Sequence, residues 1–415
     1  MKSAFSIIGE LNNQVIVLAL GRLASAIGTG LTIFYAPIFF VNVAGISATN
    51  VGIGIGLGGA FGVLGRFLGG TCADSPKVGR KGSLLIASTF LAFGAAFFAF
   101  TEVFWQFVAG NILTGLGIGF YWPAAESFIS DVTEKDKLNE AFALTRLADY
   151  IGLGLGVIAG GLVIGFHSAY RILFIADSLS YMVLFLFVLV GIKETLVERD
   201  QKNKNIWGNW ISAFKDRKLV LYALLNLLFT NNILQMSSTL PLYFSNFVSF
   251  DKSLFGGNAH ISIIFSIYIV MVSLLVMPLA RITATVNKTK VLIVACLFWT
   301  LAHSTIAILG FGLSYALALA VGIIFAFAVG NALYGPSASS LVVEIAPQDS
   351  RATYLSVNSL CWGISGSFGP AIGLAALDQG TDIAVIYWFA LALVNIAGVI
   401  GLLALKNMIA KSALH

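Results

Sequence analysis

The sequence predicts an all-α membrane protein, with twelve transmembrane helices in two pseudo-symmetric six-helix bundles. Of 415 residues, 58% are hydrophobic and only 10% are charged, whereas a soluble domain carries about 25% charged residues. Twelve apolar stretches are long enough to cross a hydrocarbon core of about 30 Å at ~1.5 Å per residue. A stretch of the first half also recurs in the second half, which indicates two related bundles.

The recurring stretch covers two apolar helices and the polar loop between them. One offset of 213 residues relates all of its matched positions. The matched pairs are Tyr121 and Tyr334, Pro123 and Pro336, Asp131 and Glu344, Gly156 and Gly369, and Gly160 and Gly373. A constant offset over two helices and a loop is hard to explain by chance, so we expect the halves to share one fold.

The predicted spans also set the domain organisation. They lie roughly at 13–40, 48–72, 83–101, 104–130, 140–166, 171–192, 219–248, 259–282, 290–310, 313–343, 353–377 and 383–405. The N-terminal bundle is then 1–192, a polar cytoplasmic linker is 193–218, and the C-terminal bundle is 219–415. Pro37 and Pro241 are each expected to interrupt a helix near the end of its span, because proline lacks the N–H that continues a helix.

The distribution of positive charge predicts the orientation. With the N-terminus in the cytoplasm, most of the 24 Lys and Arg residues fall in cytoplasmic loops and tails. Only Arg171 and Lys252 fall outside, and Arg22, Arg66 and Arg146 fall within spans. The positive-inside rule therefore predicts a multi-pass protein of the cell membrane with both termini in the cytoplasm. The net charge of +5 reflects this topology, and we expect no nucleic-acid partner.

No cofactor or metal site is predicted. The three cysteines, Cys72, Cys296 and Cys361, lie in or at the ends of spans without metal-binding spacing. The second span contains Gly54-x-Gly56-x-x-Gly59, the spacing of a dinucleotide fingerprint. That motif needs a strand before it, so we interpret these glycines as close helix packing in a membrane.

The loop after the second span carries a family resemblance. It runs from Gly70 through Asp74 to the triplet Gly79-Arg80-Lys81. This pattern resembles the loop signature of the major facilitator superfamily, with two extra residues before the triplet. The resemblance implies two six-helix bundles, alternating access and a cytoplasmic gate formed by Asp74, Arg80 and Lys81. The alternative is that these basic residues only anchor the loop on the cytoplasmic side.

A second resemblance lies in spans 5 and 11. Small residues recur there at spacings similar to the antiporter signature of the same superfamily, although Val157 stands where that signature has proline. We expect these residues to pack closely where the two halves meet. They are Gly152, Gly156, Gly160, Gly369, Pro370 and Gly373.

Four charged residues within the spans of the first half are candidates for the substrate and proton pathway. Glu126 followed by Arg146 is similar to the substrate-binding pair of lactose-permease-type transporters. The alternative is a fixed ion pair within the bundle. Arg22 and Asp149 each lie about ten residues into a span, hence both near ~15 Å depth. Asp149 either couples transport to protons or permanently neutralises Arg22, and Asp177 is the second acidic candidate.

The second half is nearly free of charge within its spans. Its candidate pathway residues are amides and a tyrosine, namely Asn226, Asn231, Gln235, Asn331 and Tyr334. Asn226 precedes Pro241 by fifteen residues, as Arg22 precedes Pro37. One wall of the pathway is therefore expected to be ionic and the other amide, hydroxyl and aromatic.

These features predict a monomeric secondary transporter rather than an enzyme. Proton-coupled efflux of small amphipathic compounds is the first hypothesis, with a proton as coupling ion and the lipid bilayer as surroundings. Asn111 stands where drug antiporters carry arginine, which keeps a sugar or organic-metabolite permease as the alternative. A membrane enzyme would need clustered His, Asp or Ser at one membrane face, and the sequence indicates no such cluster. A non-transporting sensor is disfavoured because no soluble signalling domain is predicted.

Overall fold

The computed structural model describes residues 11–134, 137–167, 169–196, 211, 213–250, 259–311, 315–347 and 351–412. The chain forms two compact units. Unit 1 comprises Met1–Asp200 and Gly256–Ile263, and unit 2 comprises Gln201–Phe255 and Ile264–His415. Most of the predicted linker, 197–210 and 212, lies outside the described residues.

Twelve long helices fill the described ranges. The first six are α1 (Asn13–Thr32), α2 (Ala48–Ala73), α3 (Gly79–Ala99), α4 (Phe104–Val132), α5 (Leu138–His167) and α6 (Tyr170–Gly191). The second six are α7 (Arg217–Ser237), α8 (Ala259–Ile282), α9 (Lys288–Leu309), α10 (Ala316–Ile345), α11 (Arg351–Asp378) and α12 (Thr381–Ser412). Eleven described helices are long and apolar enough to cross a membrane. The exception is α4, a 29-residue helix that contains Glu126 and Asp131.

Polar side chains and prolines set several helix ends. Asn12, Ser47, Asp216 and Asn287 accept hydrogen bonds from backbone N–H groups in the first turns of α1, α2, α7 and α9, as helix N-caps do. Helix α1 ends at Thr32, and the chain resumes as a short helix at Ala36–Ile38 followed by a π-helical turn at Phe39–Val43. Helix α7 likewise ends at Ser237 and resumes at Thr239–Asn246. Both interruptions lie next to the predicted prolines.

The two units repeat one packing pattern. In unit 1, α1 packs against α5 and α6, and α3 packs against α4 and α6. In unit 2, α7 packs against α11 and α12, and α9 packs against α10 and α12. The bounds repeat as well, because α4 ends at Val132 and α10 ends at Ile345, 213 residues later. The sequence repeat therefore corresponds to a repeat of structure.

Glycines allow the closest helix crossings of unit 1. A Cβ on Gly115 of α4 would lie 2.0 Å from the backbone oxygen of Gly58 in α2. A Cβ on Gly156 of α5 would lie 2.1 Å from the backbone oxygen of Ile27 in α1. Close contacts of this kind leave no room for a side chain, and in the second span they occur at Gly54, Gly58, Gly65 and Gly69, all against α4.

Replacing Gly156 with alanine is expected to destabilise the protein by about 1–3 kcal/mol, because the added methyl group must displace the α1 backbone. Gly322 in α10 is a matched control, since a Cβ there meets no atom within 4 Å. Thermal unfolding of the purified protein should show a lower Tm for Gly156→Ala and not for Gly322→Ala. Equal Tm values for the two variants would contradict this close crossing.

Candidate functional site

An ion pair joins α1 to α5 inside unit 1. The Nε of Arg22 donates to Oδ1 of Asp149, and Asp149 is only 8% exposed. A single charge at the centre of a membrane helix costs about 2.5–3.5 kcal/mol on insertion scales. Pairing compensates both charges, and the close crossing of α1 and α5 brings the two side chains together.

Aromatic side chains of α4 cover both arginines of this region. The Arg22 guanidinium lies 5.0 Å from the ring centroid of Tyr121 and 5.3 Å from that of Trp122. The Arg146 guanidinium lies 4.4 Å from the same Trp122 ring. These distances fit cation–π attraction, which is worth about 0.5–2 kcal/mol depending on solvation. Trp122 therefore holds both cations at one position along α4.

These side chains line a small recess that is partly open to its surroundings. We call it the unit 1 recess. Its lining residues are Arg22, Tyr121, Trp122, Ala125, Glu126, Ile129, Phe142, Thr145, Arg146 and Asp149. All four charged candidates of the first half therefore face one space. The recess combines an aromatic wall, two guanidiniums and two carboxyl groups.

Glu126 and Arg146 share the recess without forming a close ion pair. Their charged groups are not within ion-pair distance of each other, unlike those of Arg22 and Asp149 or of Arg80 and its two aspartates. Both Glu126 and Arg146 are exposed, and they interact electrostatically across the recess. Arg146 stacks on Trp122 instead. These two charges are therefore accessible to a ligand.

A second polar cluster surrounds the turn between α2 and α3, and we call it the turn cluster. The Nη1 of Arg80 donates to Oδ1 of Asp74, and its Nε donates to Oδ2 of Asp131 over 3.2 Å. The Nζ of Lys81 donates to the backbone oxygen of Leu189 over 2.7 Å. The predicted gate residues therefore join the turn to the ends of α4 and α6. Asp131 was not among the predicted gate residues.

Glu194 completes the turn cluster and was not predicted. Its carboxylate accepts from the backbone N–H groups of Arg80 and Lys81 over 3.0 Å each. It also accepts from its own chain neighbours Thr195 and Leu196. Partial burial opposes ionisation of this carboxyl, but the four N–H donors hold the pKa of Glu194 below its usual value.

Gly79 gives this carboxylate its access to the start of α3. Its φ is +70°, and a Cβ there would lie 2.2 Å from Oε2 of Glu194. The positive φ and the missing side chain both favour glycine at this position. The Gly-Arg-Lys triplet therefore binds Glu194 as well as Asp74, which its spacing alone did not indicate.

In unit 2 an amide takes the place of the arginine. The Oη of Tyr334 donates to Oδ1 of Asn226 over 2.8 Å. The Nδ2 of Asn226 donates to Oδ1 of Asn358 over 3.0 Å, and the Oη of Tyr222 donates to the same oxygen over 2.7 Å. Asn226 thus contacts Tyr334 where Arg22 contacts Tyr121. The sequence analysis missed Asn358, which lies one position before the counterpart of Arg146.

The remaining amide candidates of unit 2 lie in two places. The Nε2 of Gln235 donates to Oδ1 of Asn231 over 3.0 Å and to the backbone oxygen of Gly369 over 3.1 Å. Asn331 accepts from Nε1 of Trp299 over 3.2 Å and donates to Oη of Tyr268. Gln235 is fully buried, as is Asn226, whereas Asn231 and Asn331 are partly exposed. Of the predicted amides, these two are the ones accessible to a ligand.

The predicted interface glycines have their nearest neighbours within their own units. On α5, Gly152, Gly156 and Gly160 face α1. On α11, Gly369 and Gly373 face Asn231, Gln235 and Thr239, and Pro370 lies within the helix. The sequence analysis placed these residues where the halves meet. Within each unit their close contacts are with the first helix and, for Gly373, also with Thr239 just beyond it; their place where the halves meet stays a prediction.

The described side chains form no group of three or more His, Cys, Asp or Glu placed to hold a metal ion.

Comparison with known proteins assigns the family. The model of the Major Facilitator Superfamily matches residues 18–370 and 244–413. The chain belongs to this superfamily. Its eleven described helices of membrane-spanning length are those of a multi-pass membrane protein.

Relatives by sequence include two resistance proteins and an MFS-type transporter. This superfamily member is 27% identical to the multidrug resistance protein MdtG of Escherichia fergusonii over 54% of both chains. It is 28% identical to an uncharacterized MFS-type transporter of Methanocaldococcus jannaschii, over 37% of this chain and 39% of the relative. It is 25% identical to the class D tetracycline resistance protein of Salmonella ordonez, over 36% and 38%. The chain thus spans about half or less of the length of the curated relatives it matches.

Solved structures of the same fold include a nucleoside transporter and a peptide transporter. The nucleoside transporter NupG superposes with a TM-score of 0.78 at 15% identity, over 95% of this chain and 100% of that chain. The peptide transporter POT superposes with a TM-score of 0.76 at 15% identity, over 99% of both chains. At this identity, the likeness establishes the fold alone.

Removing the Glu194 charge is expected to weaken the turn cluster in a pH-dependent way. Because the folded pKa is lowered, the carboxylate stabilises the fold above its unfolded pKa of about 4.3. That contribution is lost as the pH falls through the folded pKa. The Tm deficit of Glu194→Gln relative to wild type should therefore be complete at neutral pH and shrink in acid.

Glu102→Gln is the matched control, because Glu102 is an exposed glutamate outside the turn cluster. Its Tm should follow that of wild type across the pH range. A Tm deficit of Glu194→Gln that stays constant into acid would contradict a role for the carboxylate charge.

Proposed function

We propose that this transporter exports small amphipathic molecules in exchange for protons and that the Arg22–Asp149 pair couples the two movements. The observation that carries the proposal is a titratable carboxyl group held against a permanent cation in the wall of the unit 1 recess. Arginine stays charged under essentially all conditions, whereas aspartate can take up a proton. Withdrawing the arginine favours proton uptake by the carboxyl, and restoring it favours release.

The chemistry of the recess supports an amphipathic substrate. Tyr121 and Trp122 offer apolar ring surface, and Glu126 and Arg146 offer one accessible charge of each sign. The names of two relatives, a multidrug resistance protein and a tetracycline resistance protein, support export. The orientation with cytoplasmic termini, the monomeric state and a gating role for Asp74, Arg80 and Lys81 belong to the same proposal.

Permeation of a sugar or another polar metabolite is the second candidate function. The observation that favours it is the placement of Trp122 beside Arg146 and Glu126 in one recess. A flat aromatic ring next to a carboxylate and a guanidinium can bind a polyhydroxylated ring by stacking and hydrogen bonds. A substrate screen by thermal shift on the purified protein separates the two, since stabilisation by sugars alone favours the permease.

Asp149→Asn tests the coupling role in proteoliposomes. The amide oxygen can still accept a hydrogen bond from Arg22, but the amide does not take up or release a proton in this pH range. Flux driven by a pH gradient should therefore fall to background. Substrate counterflow requires no net proton movement and should continue. Asp382→Asn, an exposed aspartate at the start of α12, is the matched control and should behave as wild type. Gradient-driven flux at the wild-type rate in Asp149→Asn would exclude Asp149 as the coupling group.

Glu126 and Arg146 allow a second test of the recess. Glu126 and Arg146 attract each other across the recess, so each neutral single variant, Glu126→Gln or Arg146→Gln, unbalances the charge of the recess and should lower expression. The double variant removes both charges and should restore expression. We expect the restored protein to transport poorly, because both ligand-accessible charges are lost. Wild-type transport by the double variant would instead assign the two residues a structural role.

A further inference from the structure

A polar stripe runs along α1 from the Arg22–Asp149 pair. Ser25, Thr29 and Thr32 follow Arg22 at helical spacing, and Ser25 and Thr32 are buried. Residues three and four apart lie on one helix face, and α1 packs this face against α6. The α6 residues opposite Thr29 and Thr32 are Tyr181 and Asp177.

Asp177 is a buried carboxyl group without a cation. It is 6% exposed, and its Oδ2 accepts from Oγ1 of Thr32 over 3.1 Å. Its Oδ1 has no hydrogen-bond partner, because the neighbouring hydroxyl of Ser180 donates to the backbone oxygen of Asp177 instead. Gly28 of α1 makes room for this oxygen, since a Cβ there would lie 2.7 Å from it. No ion pair of the described residues includes Asp177.

Burial without a cation decides the state of this carboxyl. An ionised carboxylate taken out of water without a partner is strongly disfavoured, and such groups carry a proton instead. The geometry thus favours a protonated Asp177 in this conformation.

Tyr181 lies between Asp177 and the coupling pair. It follows Asp177 by four residues on α6, and its Oη lies 2.8 Å from Oγ1 of Thr29. Thr29 lies about two helical turns from Arg22 along α1, and Tyr181 interacts electrostatically with Asp177, Arg22 and Asp149. Tyr181 itself is 6% exposed. A hydroxyl in this position can accept a proton on one side and release its own on the other.

Few other charges face this region from the helices packed on α6. Helix α1 contributes Arg22 alone, and α5 contributes Arg146 and Asp149 through the recess. The charged residues of α3 are Arg80 and Lys81 in its first turn, bound in the turn cluster. On α6 itself, Arg171 donates to backbone oxygens of Ala99 and Thr101. Arg22 and Asp149 are therefore the charged groups that Tyr181 would link to Asp177.

We propose that Asp177 is a second proton-carrying group, which exchanges its proton with the unit 1 recess through the hydroxyls of Tyr181 and Thr29. In the transfer, Asp177 loses its proton to the hydroxyl chain and the chain passes one to the Asp149 carboxylate. Each hydroxyl gains one proton and loses one, so it stays neutral. The net change is one proton moved from Asp177 to Asp149. The inference extends the proposed proton-coupled transport by adding a proton store next to its coupling pair.

Infrared spectroscopy of the reconstituted protein tests the carboxyl directly, with no substrate or gradient present. Wild type should show the carbonyl band of a buried protonated acid, and Asp177→Asn should lack it. Asp177→Glu should shift the band rather than remove it, which keeps the assignment testable if the amide variant folds poorly. Absence of the band in wild type, or its persistence in Asp177→Asn, would overturn the proposal.

The path is tested by the rate at which this band shifts in heavy water. Exchange should be at least about tenfold slower in Tyr181→Phe, since a positioned proton-transfer group contributes factors of this size or more. Tyr170→Phe on the same helix is the matched control and should exchange as wild type. Equal rates in Tyr181→Phe and Tyr170→Phe would overturn the path through Tyr181.

The two readouts also separate this inference from the coupling proposal. If Asp149→Asn retains gradient-driven flux, the coupling proposal fails while the band and its exchange still assign the proton on Asp177. If the band is absent while Asp149→Asn abolishes that flux, the inference fails and the coupling proposal stands.

Discussion

The contact between α1 and α5 is the constraint on which the interior of unit 1 depends. A charge placed inside apolar helices is tolerated when an opposite charge or a polar cavity compensates it. Arg22 and Asp149 meet because glycines let the backbones of α1 and α5 approach, with Gly30 and Gly156 facing each other. At this position the Arg22 guanidinium also contacts the rings of Tyr121 and Trp122 of α4. The close packing of α1 on α5 is therefore also what allows the two charges to compensate each other.

Unit 2 solves the same packing problem with different chemistry. The first helix of each unit packs against the fifth and sixth, but Asn226 stands where Arg22 stands in unit 1. An amide satisfied by Tyr334 and Asn358 needs no countercharge, since hydrogen bonds alone compensate its burial. Repeating a fold thus does not require repeating its charges. The ionic chemistry of the described spans is concentrated in unit 1, where the proposed coupling pair and proton store both lie.

The turn cluster lies at the ends of its helices, where ion pairs are exposed, so different interactions define its geometry from those inside unit 1. Arg80 bridges two aspartates, and Glu194 accepts four backbone N–H groups there. Exposed ion pairs contribute little individually, so the backbone contacts of Glu194 and the glycine conformation at Gly79 define the geometry. The cluster fixes the start of α3 to the ends of α4 and α6. It thereby connects three helices that the sequence separates by long apolar stretches.

The sequence by itself determined the fold class, the helix interruptions at Pro37 and Pro241, and the repeat of structure. These depend on composition, helix length and local backbone chemistry, which act over a few residues. It also indicated that Arg22 and Asp149 lie at one depth. Only the tertiary structure decided which side chains meet: Asp177 with Thr32, Glu194 with the start of α3, and Asn358 with Asn226. The rotation of each helix about its axis sets these contacts, and in helices apolar on every side that rotation follows from packing rather than from the sequence pattern.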